Sequence, residues 1–152
     1  MLQVDLDEMK EAAIKSIKGG DAMWFACDVT ANSFRKDGLL VKEVLDIDSL
    51  FNINTKSSKG DRLVYFATQC NHAMTLAGVN LVDNKPNRWK VMNSWGEDVG
   101  FKGFYIMSDK WFDEYVYEVV VLKKYLNEKL LEALKKEPIV LPPWSTVNKM
   151  AL

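Results

Sequence analysis

The stretch from residue 73 to residue 107 narrows the choice of fold more than any other part of the chain. Residues 73–82 (AMTLAGVNLV) form an apolar, β-compatible run. DNKPN at 83–87 supplies the residue types that make tight turns. RWKVMN (88–93) then alternates apolar and polar side chains, the period of a strand with one buried face. It runs into SWGEDVGFKG, a glycine-punctuated loop, and GFYIM (103–107) and VYEVVVL (116–122) follow as two further strand candidates. Strands joined this tightly pair antiparallel, so the pattern predicts a mostly antiparallel sheet.

Helices flank that sheet. Residues 5–20 (DLDEMKEAAIKSIKGG) place Leu6, Met9, Ala13, Ile14 and Ile17 on one face. Asp5 is a candidate N-cap, with Glu8 as the reciprocal half of a capping box. Gly19 and Gly20 offer the left-handed stop. AMWFACDV (22–29) reads as a buried strand, IDSLFNI (47–53) as one helical turn and SSKGD (57–61) as a loop. KKYLNEKLLEALKKE (123–137) carries Leu126, Leu130, Leu131 and Leu134 on one side and predicts a helix that Pro138 ends. The proline-rich tail is extended. The class is therefore α+β, with a body at 1–137 and an extended arm at 138–152.

With 152 residues the chain can bury one real core. A net charge of −1 argues against a nucleic-acid partner. No apolar run approaches the roughly 18 residues of a membrane span, and the acidic, amphipathic opening MLQVDLDEMK is not the pattern of a signal peptide. Two irregularly spaced cysteines make no disulfide framework, which fits a reducing, cytoplasmic setting. At 48% hydrophobic residues, some apolar surface is expected to meet a partner.

His72 is the only histidine. A lone histidine beside an apolar strand is usually a satisfied core or rim residue. One histidine and two cysteines without ligand spacing do not build a metal site, and no cofactor is expected. A Cys70–His72 thiol pair shares a strand face, but nothing nearby supplies a helix N-terminus to lower the thiol pKa. NSWG at 93–96 offers more. An imidazole that moves protons needs its far nitrogen held by a third group. An asparagine oxygen can do this without adding charge, and a neighbouring tryptophan can shield the bond from water. Two adjacent antiparallel strands would bring His72 and Asn93 together.

NHAMTLAGV followed by RWKVMNSWG resembles the histidine–asparagine half of the papain-like cysteine peptidases. The flanks DEMKEAAIKSIKGGDAMWFACDV, VDNKPNRWKV, MSDKWFDEYVYEVVV and LPPW resemble the bleomycin hydrolase and aminopeptidase C subfamily, and the resemblance covers nearly the whole chain. It implies a half-barrel sheet and a thiolate–imidazolium mechanism on peptide substrates, releasing N-terminal amino acids. His72 would shuttle the proton, Asn93 would orient its ring and Trp95 would cover that contact. Asn71 and Ala73 would line the substrate cleft. The subfamily forms ring-like hexamers, and its C-terminal arm enters the cleft.

The other half of such an enzyme is missing from the pattern. The family's nucleophile starts a long helix, is normally followed by tryptophan and has a glutamine upstream; Cys27, Cys70, Gln3 and Gln69 do not fit. Cys27 reads as a small buried hydrophobe. The chain thus resembles the C-terminal part of a peptidase, inactive alone, with an apolar face for the missing N-terminal half or for self-association. The ending STVNKMAL departs from the subfamily's small residues, so Leu152 is either a carboxylate anchor or part of a disordered terminus. A non-catalytic peptide- or subunit-interaction module is the alternative function, and a metal or thiol enzyme using Cys70 and His72 is a third. Trp89, Trp111, Phe104 and Tyr105 read as core, the lysine pairs at 123–124 and 135–136 as solvated helix ends, and Gly96, Gly100 and Gly103 as no phosphate cradle.

Overall fold

A computed structural model describes residues 1–146. Helix α1 (Leu6–Lys18) opens the chain and turns Ala13, with Leu6, Met9, Ile14 and Ile17, onto the core. Its end follows the glycine signal: Gly20 has φ 85°, and the N–H groups of Gly20 and Asp21 donate to the Ile17 and Ser16 carbonyls, each at 3.0 Å. Its start departs from the capping box. Asp5 sits at the N-cap position but its side chain caps nothing, and Glu8 instead accepts from Lys129 Nζ at 2.7 Å.

The remaining elements are β1 (Met23–Cys27), β2 (Ser33–Phe34), β3 (Leu39–Leu40), α2 (Ile47–Phe51), α3 (Lys59–Val64), β4 (His72–Val82), β5 (Lys85–Met92), β6 (Phe104–Ser108), α4 (Asp109–Tyr115), β7 (Val116–Val120) and α5 (Glu128–Ala133). The strands form one sheet in the order β2-β3-β6-β5-β4-β1-β7. Every neighbouring pair is antiparallel except β3 and β6. The mostly antiparallel sheet predicted from the 73–107 pattern is therefore present.

The β4–β5 connection is tighter than the turn read at 83–87. Asp83 and Asn84 alone make it, with φ of 50° and 62°. Two central residues at positive φ match the right-handed twist of the flanking strands. Pro86 is tolerated inside β5 because it lies beyond the β5–β6 pairing, which begins at Arg88.

Two other segments differ from what their sequence predicts. Residues 57–61 are not all loop: Ser58 Oγ accepts from Asp61 N–H at 3.0 Å and caps α3. The single helix read over 123–137 is broken. A 3-10 turn at Lys123–Tyr125 ends in extended backbone at Leu126, and the Asn127 side chain accepts from Leu130 N–H at 2.9 Å to start α5. The first turn is pinned elsewhere, with Tyr125 Oη donating to Asp21 at 2.5 Å, so a continuous leucine stripe yields to two local anchors. Helix α4 had a signal that pattern reading passed over: Ser108 Oγ accepts from Trp111 N–H at 3.2 Å, directly after a strand.

The core lies between the sheet and helices α1 and α4. Phe25, Leu76, Trp89, Val91, Tyr105, Met107, Trp111 and Phe112 are buried in it. The two indole N–H groups find acceptors, Trp89 on Asp109 Oδ1 at 3.0 Å and Trp111 on the Ala31 carbonyl at 2.9 Å. Asp109 also accepts Lys10 Nζ at 2.7 Å, which ties α1 to α4. Phe104 is only half-buried, beneath Lys90 Nζ at 4.2 Å from its ring. Residues 138–142 have no regular structure, and Ile139 and Val140 are 88% and 90% exposed. The expectation for Leu152 falls outside the described residues.

Two glycines let the β2–β3 turn touch the loop after β5. A Cβ on Gly100 would stand 2.6 Å from the Phe104 carbonyl oxygen, and one on Gly38 would stand 2.7 Å from Gly100 Cα. Both residues have positive φ. Gly100→Ala is expected to lower stability by about 1–3 kcal/mol, because the clash is with backbone and the dihedral is strained. Urea unfolding checks this.

Candidate active site

His72 is the first residue of β4 and Asn93 directly follows β5. The antiparallel register sets Thr75 opposite Met92, so the same ends of the two strands are neighbours. His72 Nε2 lies 2.9 Å from Asn93 Oδ1. Ser94 N–H donates to that same oxygen at 2.8 Å, which orients the amide. An amide oxygen only accepts, so the proton of this bond sits on His72 Nε2. Nδ1 has no hydrogen-bond partner among the described residues.

Asn93 is buried at 8% exposure, and its own N–H is held by the Gly103 carbonyl at 3.0 Å. Its amide nitrogen is buried without a hydrogen-bond partner among the described residues. The nearby Tyr105 hydroxyl is turned to the Arg35 carbonyl, 3.2 Å away. Burial raises the Tyr105 phenol pKa, so this hydroxyl stays protonated and donates. Trp95 stacks on His72 with ring centroids 4.8 Å apart and planes inclined by 26°. Tyr105 meets Trp95 edge-on at 6.2 Å, and the Arg35 guanidinium carbon lies 4.3 Å from the Trp95 ring centre.

The backbone before the histidine is strapped to the end of β1. Asn71 N–H donates to the Cys27 carbonyl at 3.0 Å, and Val29 N–H donates to Asn71 Oδ1 at 3.0 Å. Cys27 Sγ lies 3.6 Å from the His72 carbonyl. At the centre is Asp28, only 5% exposed. Its carboxylate accepts from Thr30 N–H (3.1 Å), Thr30 Oγ1 (2.5 Å), Thr68 Oγ1 (2.8 Å), Gln69 N–H (3.3 Å) and Asn71 Nδ2 (2.8 Å). Burial alone would raise its pKa, but these hydrogen bonds outweigh burial and hold it below the usual 3.8.

The sequence-derived set thus divides. His72, Asn93 and Trp95 are brought together. Asn71 is exposed, and both ends of its amide are engaged, by Asp28 and by the Val29 N–H. Ala73 pairs with Ala26 and, one residue along the strand, turns to the face opposite His72. Neither cysteine is a thiolate. Burial pushes the Cys27 thiol far above its ordinary value and the Cys70 thiol up to about 11. Cys70 packs with Tyr117, and its raised pKa leaves no thiolate for a pair with His72. Among the described residues no group of three His, Cys, Asp or Glu side chains could hold a metal ion, and no helix is long and apolar enough to cross a membrane. Asp28 and Arg35 were missed by pattern reading. Asp28 and Thr30 form a local turn that the Asp-x-Thr spacing allows, but no local spacing signals the partners at Thr68, Gln69 and Asn71, some 40 residues on.

An imidazole held by an amide under an indole, on one half of a curled sheet with flanking helices, defines a papain-like α+β fold. The chain belongs to the Peptidase C1-like family, whose profile matches residues 1–148. It is 44% identical over 151 residues to aminopeptidase C of Listeria innocua serovar 6a, covering 99% of this chain and 34% of that protein. Aminopeptidase C of Lactobacillus helveticus is 42% identical over 153 residues, with the same coverage of 99% and 34%. The crystal structure of PepW from Lactobacillus rhamnosis HN001 superposes with a TM-score of 0.91 at 45% identity, covering 99% of this chain and 34% of that one. The chain therefore spans about a third of the length of the relatives it matches.

Proposed function

We propose that this chain is the C-terminal, acid–base part of a cysteine aminopeptidase of the bleomycin hydrolase type, and that another segment of polypeptide supplies the thiolate. One observation carries the reading: His72 Nε2 stands 2.9 Å from Asn93 Oδ1, beneath a stacked Trp95. With Nε2–H held there, Nδ1 is the nitrogen left to exchange protons. It takes the proton of the incoming thiol, and the thiolate attacks the carbonyl of the substrate's first residue. The Nδ1 proton then passes to the departing amine as the C–N bond breaks and a thioester remains. Water attacks that thioester while Nδ1 receives its proton, and returning the proton to sulfur frees the acid. The substrates are peptides that lose N-terminal residues, in keeping with the names of the relatives. Both cysteines here are free, which suits a reducing, cytoplasmic setting.

The outer sheet face offers a surface for the remaining polypeptide. Val120, Trp24, Thr75, Met92 and Phe104 fall opposite one another across five strands. Of these, Val120, Trp24 and Met92 are 64%, 63% and 46% exposed. An apolar row of this kind favours an interaction partner, and it is also what the alternative reading, a non-catalytic subunit-interaction module, would use. In the proposed assembly residues 1–137 form the His/Asn half of the catalytic domain and the chain from residue 138 an extended arm, of which 147–152 lie outside the described residues.

Complementation separates the two. The chain is mixed with the remaining, nucleophile-bearing segment of an aminopeptidase C relative and assayed on an aminoacyl amide. Turnover is expected from the mixture and from neither part alone. Turnover by this chain alone would overturn the reading, and a stable complex without turnover would favour the interaction module.

A further inference from the structure

We propose that Arg35 is a positioning residue that clamps Trp95 against His72 and so orders the acid–base pair before any thiol or substrate arrives. The proposal rests on the reading of His72 as proton carrier. Arg35 lies in the turn between β2 and β3, in a part of the chain remote in sequence from both other residues. Its guanidinium carbon is 4.3 Å from the centre of the Trp95 ring. The face of an indole is the negative end of its quadrupole, so a cation settles there favourably. The same indole stacks on the imidazole at 4.8 Å.

Arg35 is held at its other end as well. Its carbonyl accepts the Tyr105 hydroxyl at 3.2 Å and the Gly38 N–H at 3.3 Å. Tyr105 is fully buried and meets Trp95 edge-on. The turn, the buried phenol and the indole therefore form a closed set that leads to the imidazole. Among the described residues no carboxylate pairs with Arg35, so the indole is the partner of its charge. The side chain is exposed and fills no core space.

The need for a clamp follows from where Trp95 sits. It is carried by the loop between β5 and β6, in which Gly96, Gly100, Lys102 and Gly103 all have positive φ. It is only half-buried there. An indole free to swing would expose the Nε2–Oδ1 bond to water, and a hydrogen bond open to water holds the ring less firmly.

The chain has one histidine, so its imidazole C–H signals in a proton–carbon correlation spectrum belong to His72. A stacked indole shields those protons by its ring current. In Arg35→Met the signals are expected to move downfield, toward their positions in Trp95→Leu, which marks complete loss of the stack. Arg35→Lys keeps the charge but not the planar group and is expected to fall between. His72 signals in Arg35→Met that coincide with those of the parent chain would overturn the clamp. The readout needs no turnover. A stable complex of the two segments without turnover would count against the catalytic reading without touching the stack, and an unmoved spectrum would refute the clamp without touching catalysis.

Discussion

His72→Ala is expected to remove at least about three orders of magnitude of the peptidase activity recovered on complementation. The imidazole makes two proton transfers in each half of the proposed reaction, and alanine can make neither. No other histidine exists to replace it, and the two thiols present are protonated by burial. Asn93→Ala is expected to cost less, about a hundredfold, because it leaves the proton carrier in place but frees its ring. That loss should fall on kcat, with binding of the two segments unchanged in a pull-down assay. Activity that survives His72→Ala would end the catalytic reading, whatever the effect at Asn93.

The second large effect is on stability. Asp28→Ala is expected to lower unfolding free energy by about 3 kcal/mol or more, since several buried donors lose their acceptor at once. For a domain of this size that is a fall in Tm of roughly 6–12 °C. The damage is local to the site as well, because the same carboxylate holds the Asn71 amide beside His72. The pH dependence has a definite sign. The Asp28 pKa is lower in the folded chain than the 3.8 of an exposed carboxyl. Its ionised form therefore favours folding, fully above that value, and the contribution is lost as pH falls through the lower folded pKa. Thermal melts of the parent chain should thus show an acid loss of stability beginning below 3.8. The alanine variant should lack that part of it.

Much of the architecture could be read locally. Strand alternation at 88–93, the glycines after α1 and the turn residues after β4 act over a few residues, and each acts here as their chemistry dictates. The meeting of His72 with Asn93 was legible for the same reason: two strands joined by one tight turn leave little choice of neighbour. The errors share a cause. Leucine spacing over 123–137 is compatible with a helix, but the Asn127 cap and the Tyr125–Asp21 bond compete with it and win. The orientation of Asn71 was not legible either, because a buried carboxylate 43 positions away takes its side-chain amide.

The sequence by itself determined the strand pattern, the hairpin at the centre of the sheet and the pairing of one imidazole with one amide, because period, turn chemistry and adjacency are short-range properties. Only the tertiary structure decided which way Asn71 faces, that Asp28 gathers five donors and that Arg35 reaches Trp95. Apart from the two Thr30 bonds, those contacts join segments far apart in the chain. They follow from the burial of charge and the crossing of backbones at Gly38 and Gly100, which no local pattern encodes.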